Sequence, residues 1–330
     1  MIKTPTLYPT WPQRLVFSFA YGKICAGALI FTCLWFMLTL LDDTMGFYLK
    51  LFFVSIIAYI IPIYAHIIER SVIAFDEIAP ALECSREQTQ QWRIKLTHRS
   101  GRWFVLVTLA AVIMWLLHIS LMELYTPDVP FSLFNNREYS IKISAFLVWL
   151  ALITVSSALI GNAFVLAQLG QRLAIDLICT SAHMILGRIA ILSILSFIGA
   201  ESLFVLLVMD SSPWTAVAPG IITLLISMFC LFIIPVWPVH KRLVQAKNEQ
   251  LSSIEIQLLV LRKNNCTTSL PGEKLQQLNQ LLLYRREIRQ APVWPFDLAA
   301  LTRLGLYLIL PPLTWVGAAL IENVVDTFVQ

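Results

Sequence analysis

Glu201 stands inside an otherwise apolar run, Ile189–Met209, and it is the residue whose type and placement first suggest chemistry. A carboxylate held away from water can take up a proton or ligate a cation, and within a membrane such a group points by default to an ion or proton path. The same residue also reads as a protonated, hydrogen-bonded structural side chain, with Thr314 as a partner. Insertion cost does not decide between the two. A charge at helix centre costs about 2.5–3.5 kcal/mol on insertion scales, while each surrounding Leu, Ile, Phe or Val returns about 0.3–0.6 kcal/mol. Asn162 and Thr154 form a second candidate polar group within another apolar run, together with Ser156 and Ser157. Amides and hydroxyls of this kind commonly join helices, at about 0.6 kcal/mol each on average.

The remaining chemistry-bearing residues do not assemble into a linear motif. The sequence has no Gly-rich phosphate loop, no His-Glu-x-x-His helix, no Gly-x-Ser-x-Gly elbow and no paired-cysteine metal site. The five histidines, His66, His98, His118, His183 and His240, are scattered. His66 and His118 fall near the ends of apolar runs, as interfacial residues do. The six cysteines lie in apolar runs or among basic segments and suggest no disulfide framework. We therefore expect no catalytic residues, no metal and no cofactor. An active site assembled from several helices would leave no linear pattern, so an enzyme is disfavoured rather than excluded.

These residues must be positioned by helices that cross a membrane. Hydrophobic residues make up 58% of the 330 and charged ones 13%, far from the balance of soluble domains. The apolar residues gather in blocks of about twenty, the length that spans about 30 Å of hydrocarbon. The expected spans are Ile24–Leu41, Leu51–Ile68, Trp103–Met122, Ile143–Leu166, Ile189–Met209, Ala218–Val236 and Leu304–Ile321. Continuous runs of this length exclude a β-barrel. The expected fold is an all-α, polytopic bundle of about seven transmembrane helices. It divides into a six-span region, 1–238, a helical hairpin, 239–297, and a last span with a short tail, 298–330.

Charge sets the orientation. With seven spans, all but three of the 24 basic residues, Lys50, Arg137 and Lys142, fall on one side. The positive-inside rule makes that side cytoplasmic, with the N-terminus inside and the C-terminus outside. The first block reads as a retained signal anchor, because no small-residue cleavage pattern follows it.

Three segments between the spans matter. The 69–102 loop starts acidic, with Glu69, Asp76 and Glu77, and ends basic, with Arg93, Lys95, Arg99 and Arg102, a pattern that suits topology and anionic lipid rather than nucleic acid. Residues 167–188 place Arg172, Asp176, Thr180 and His183 on one helical face, as an interfacial amphipathic helix or an extension of the fourth span. In 239–297, Val244, Leu251 and Leu258 recur every seven residues, and Leu275, Leu278 and Leu282 form a second stripe after the turn at Ser269–Gly272. The two stripes either bury each other or dock a cytoplasmic protein partner or a second copy of the chain.

The segments Tyr284–Ile288, Trp294-Pro295-Phe296-Asp297, Leu304–Tyr307 and Trp315–Glu322 resemble the ending of uncharacterised polytopic bacterial inner-membrane proteins. The resemblance covers about forty residues; it implies a bacterial inner membrane and no particular activity. Within it Trp294 fits an interfacial anchor and Asp297 a helix N-cap, while Pro311-Pro312 bends or breaks the last span. Two functions follow from the whole sequence. One is a channel, transporter or membrane-permeabilising effector that uses Glu201, Asn162, Thr154 and Thr314. The other is a membrane scaffold or sensor that binds its partner through Leu275, Leu278 and Leu282.

Overall fold

The computed structural model describes residues 7–42, 45–82, 85–124, 139–173, 177, 181–209, 214–263, 272–296, 299, 301–309, 311, 313 and 316–317. Six helices among them are long and apolar enough to cross a membrane. The chain is thus an all-α, multi-pass membrane bundle. The expected seventh span falls partly outside the described residues, and so do Thr314, Pro312 and Asp297.

A short strand β1 (Leu7–Pro9) and a single turn α1 (Trp11–Arg14) precede the first long helix, α2 (Gly22–Leu41). Then come α3 (Phe47–Ile78) with a short turn after it, α4 (Arg86–Thr97), strand β2 (His98–Ser100) and α5 (Gly101–Leu124). The later elements are α6 (Tyr139–Arg172), α7 (Ser181–Ser202), α8 (Val205–Met209), α9 (Trp214–Lys263) and α10 (Gly272–Gln290). Several helices outrun their apolar stretch. At 1.5 Å per residue, α6 is about 50 Å long and α9 about 75 Å, well beyond a hydrocarbon core of about 30 Å. Pro62 and Pro235 therefore lie inside helices rather than near their ends, because α3 and α9 continue past the apolar residues that mark the spans.

Helices α3 and α6 are buried along most of their length, whereas α2 and α5 expose most of theirs, including Ile24, Leu29, Phe36, Val105 and Leu109. Bare apolar side chains of this kind are what lipid solvates. The main core joins α3, α6, α7 and α9 through Ile56, Tyr64, Leu152, Ala158, Phe197 and Leu224. Hydrogen bonds pin the helices at several levels. Ser140 Oγ donates to Asp42 at 2.6 Å, Trp115 Nε1 to the Lys142 carbonyl at 2.9 Å, and Tyr59 OH to the Ser196 carbonyl at 3.1 Å.

One end of the bundle carries Lys23, Arg70, Arg99, Arg172 and Arg242, and we call it the basic end. A second core gathers here from Phe75, Ile78, Leu96, Leu169, Leu186 and Leu243. Some of the basic side chains serve as caps. Arg242 donates to the Gly170, Gln171 and Leu173 carbonyls at the end of α6, and Lys247 to the Arg289 and Ala291 carbonyls at the end of α10. Helix C-termini leave carbonyls unpaired, and cations suit the negative end of the helix dipole. Helix α10 lies along the far half of α9, with Arg285 paired to Glu255 at 2.7 Å.

Of the 167–188 stretch, Asp176 and Thr180 lie outside the described residues, and its first part extends the fourth span, as one of the two expectations had it. Helix α6 extends to Arg172, an antiparallel bridge from Leu173 to Leu82 ends it, and α7 begins at Ser181. Leu82 and Leu173 are both buried in the core at the basic end.

The contact between α3 and α7 is a close one. A Cβ on Gly199 would overlap the Tyr59 hydroxyl that reaches Ser196. Gly199→Ala is expected to lower the melting temperature in detergent by more than Tyr59→Phe, which loses one hydrogen bond of about 1 kcal/mol. The double variant should recover part of the loss, because Phe removes the overlapped oxygen. Losses that simply add would contradict this contact.

Candidate functional site

Asn162 lies in a polar cluster centred on Arg99, and Thr154 lies farther along the same helix, α6. Arg99 sits on β2 and turns its guanidinium onto α6. Nη2 donates to the Ala158 carbonyl at 2.7 Å and to Asn162 Oδ1 at 2.5 Å, while Nη1 donates to the Lys95 and His98 carbonyls. The Trp103 ring lies 5.9 Å away, within cation–π reach. Gly161 makes the approach possible, since a Cβ there would stand 3.2 Å from Nη2. All four acceptors are neutral oxygens, so the positive charge has no carboxylate partner among the described residues. Burial lowers the Arg99 pKa, with the neighbouring Tyr64 acting the other way, and a guanidinium remains charged at any physiological pH.

Arg99 can only donate, so Asn162 must offer it an oxygen and turn its NH2 away. That NH2 is buried and finds no acceptor among the described residues, and the Ser156 hydroxyl is in the same position. Asn162 is 2% exposed and Thr154 1%. Thr154 is eight residues deeper along α6, about 12 Å at 1.5 Å per residue.

The N-terminal segment closes over this cluster. β1 pairs antiparallel with β2, and Tyr8 stands opposite Arg99. The next residues enter the bundle. Thr10 Oγ1 donates to Tyr64 OH at 3.0 Å, and Trp11 Nε1 donates to Thr154 Oγ1 at 3.2 Å. Thr10 and Tyr64 are each 1% exposed, so the segment is seated in the protein rather than laid on it. Gln13 holds the turn by accepting from the Thr10 backbone N–H at 3.1 Å.

Glu201 is not part of this cluster. It is buried in the last turn of α7, at the end remote from Ser181; its carbonyl accepts from the Phe204 N–H at 3.0 Å, and its carboxylate makes no hydrogen bond or ion pair with another described residue. The expected span stands as one candidate span, His183–Met209, but a turn at Leu203 and Phe204 separates α7, which stops at Ser202, from α8. Thr314, the partner expected for Glu201, lies outside the described residues. Near α8 a small apolar cavity of about 120 Å³ is walled by Phe52, Phe53, Trp149 and Phe204, with His118 at its edge. Among the described residues no three His, Cys, Asp or Glu side chains group to hold a metal ion.

On the α9–α10 pair, Leu251, Ile254 and Leu258 pack against the core at the basic end. Leu275 and Leu282 are exposed and Leu278 is half-buried. Comparison with known proteins gives no match: no family model fits the chain, and no curated protein or solved structure is similar to it.

The sequence pointed to Asn162 and Thr154 but not to Arg99, Tyr64, Thr10 or Trp11. The one signal that could have found Arg99 is Gly161-Asn162, a gap beside an amide, which is where a long side chain from another segment fits. Asn162→Ala and Arg99→Ala should each lower stability in detergent by about 1–3 kcal/mol, the usual cost of breaking a buried charged hydrogen bond. The double variant should lose less than the sum, because the two share one bond. Strict additivity would show that they do not interact.

Proposed function

We propose that the protein is a channel or transporter of the bacterial inner membrane whose polar path is closed at one end by its own N-terminal segment. The observation that carries this reading is the seating of Thr10 and Trp11 on Tyr64 and Thr154 inside the bundle. Irregular backbone at membrane depth is tolerated where protein buries it or where it lines a water-filled cavity. Withdrawal of residues 7–14 would uncover Tyr64, Thr154, Ser156, Asn162 and Arg99 together. A polar vestibule with one uncompensated positive charge suits an anionic solute.

In this reading the basic end faces the cytoplasm by the positive-inside rule, the N-terminus is inside, and a seventh span carries the C-terminus outside. Glu201 belongs at the outer end, as a carboxylate met after the vestibule. Proteoliposomes holding the full chain should pass little chloride, and removal of residues 1–14 should raise the flux at least tenfold. Arg99→Gln in the shortened chain should cut that flux several-fold. Flux no greater than that of empty vesicles, from full and shortened proteins both shown to be folded and inserted, would contradict the proposal.

A second reading, an assembly or scaffold function, is favoured by a different observation. Ile256, Leu259, Val260, Leu275, Leu282 and Leu283 are exposed on the α9–α10 pair, beside a groove of about 590 Å³. This reading takes the pair as a cytoplasmic hairpin and a second copy of the chain as the occupant, because ridge and groove share one surface, as in a self-complementary two-fold interface. The combined change Leu275→Glu and Leu282→Glu should then convert a dimer to a monomer in light scattering. An unchanged mass would contradict it.

A further inference from the structure

A second cleft at the basic end lies apart from the Arg99 cluster, between α2 and α3, and measures about 580 Å³. Its two parts differ in chemistry. The rim is formed by Lys23, His66, Glu69 and Arg70, and the floor by Gly27, Ala58, Pro62 and Ile63, with the exposed Ile24 at its edge. The floor exists because Gly27 has no side chain: a Cβ there would stand 3.2 Å from both the Ala58 carbonyl and the Pro62 ring. From Arg70 to Ala58 the cleft follows α3 for twelve residues, about 18 Å at 1.5 Å per residue. The cleft opens on α2, a helix that exposes most of its apolar surface to lipid.

The rim carries net positive charge. Lys23 pairs with Glu69 and also approaches His66 Nδ1 at 3.4 Å. When that nitrogen accepts from the ammonium, the imidazole proton resides on Nε2, which is then a further donor. Arg70 is exposed, and its guanidinium makes no hydrogen bond or ion pair with another described residue. Two cations face one carboxylate, and the unpaired one is a guanidinium, whose fork matches two oxygens of a phosphate.

We propose that this cleft binds an anionic phospholipid, with the headgroup phosphate on Arg70 and Lys23 and an acyl chain lying over Gly27 and Pro62. A charged rim above an apolar floor, opening sideways to the bilayer, matches a molecule with a phosphate at one end and hydrocarbon at the other. Neither a soluble anion nor a neutral hydrophobe uses both parts. Basic side chains beside a membrane attract anionic lipid.

The test titrates delipidated protein in detergent with phosphatidylglycerol and reads bound lipid by native mass spectrometry. Phosphatidylethanolamine of the same chain length, sn-glycerol 3-phosphate and inorganic phosphate form the other arms. Phosphatidylglycerol should bind at least tenfold more tightly than phosphatidylethanolamine, and the two soluble phosphates more weakly still. Arg70→Gln, at an exposed position that should not disturb folding, should weaken phosphatidylglycerol at least fivefold. Ile73→Trp, which fills the mouth from another exposed position and leaves the charges in place, should do the same. Arg286→Gln, on exposed α10, should have no effect. Equal binding of the two lipids, or wild-type affinity in both Arg70→Gln and Ile73→Trp, would overturn the proposal. Inorganic phosphate binding as tightly as phosphatidylglycerol would also overturn it, by making the site one for free phosphate.

Discussion

A guanidinium brought into a membrane bundle needs oxygen around every donor it can reach, and that need organises the basic end of this protein. Arg99 obtains two oxygens from its own segment and two from α6, one of them the Asn162 amide. To reach them, the backbone must leave helical geometry between α4 and α5, and the residues that do so form β2. An extended strand at the edge of a helical bundle leaves backbone donors and acceptors unpaired, and β1 supplies partners for them. Pairing with β2 then aims Thr10 and Trp11 at Tyr64 and Thr154. Thus one charged side chain, its amide partner and the missing side chain of Gly161 account for the strand pair, the course of the N-terminal segment and the closure of the polar cluster.

The same physics recurs around this end. Arg242 and Lys247 place their charges on the open carbonyls that end α6 and α10, while Lys95 and Arg172 both lie within cation–π distance of the Trp92 ring. Basic residues gather at one end of the bundle, and their side chains occupy the carbonyls that end α6 and α10. The last carbonyls of a helix have no partner within the helix, and these cations supply one.

Six of the expected spans were legible in the sequence because lipid selects on composition and length, and apolar blocks of about twenty residues are a strong signal. Helix ends were less legible: α3, α6 and α9 run on into polar sequence that tertiary packing stabilises. The bridge that follows Arg172 joins Leu173 to Leu82, far away in the chain, so local periodicity could not show it. Asn162 drew notice as an amide in lipid, but its partner is 63 residues away and sits in a basic run that topology alone explains. Glu201 drew more notice, yet it lies at a helix break rather than with the other polar residues. Conspicuous composition and actual convergence are different properties, and only the folded chain reports the second.

The central claim is that the N-terminal segment seals a polar cluster reached from the basic end. The most direct measurement uses Thr154→Cys in a cysteine-free chain and inverted vesicles exposed to a small, impermeant, anionic thiol reagent. The expected result is a thiol that stays unlabelled in the full chain and is labelled rapidly once residues 1–14 are removed. Labelling at the same rate with and without the segment, or no labelling in either, would contradict the account.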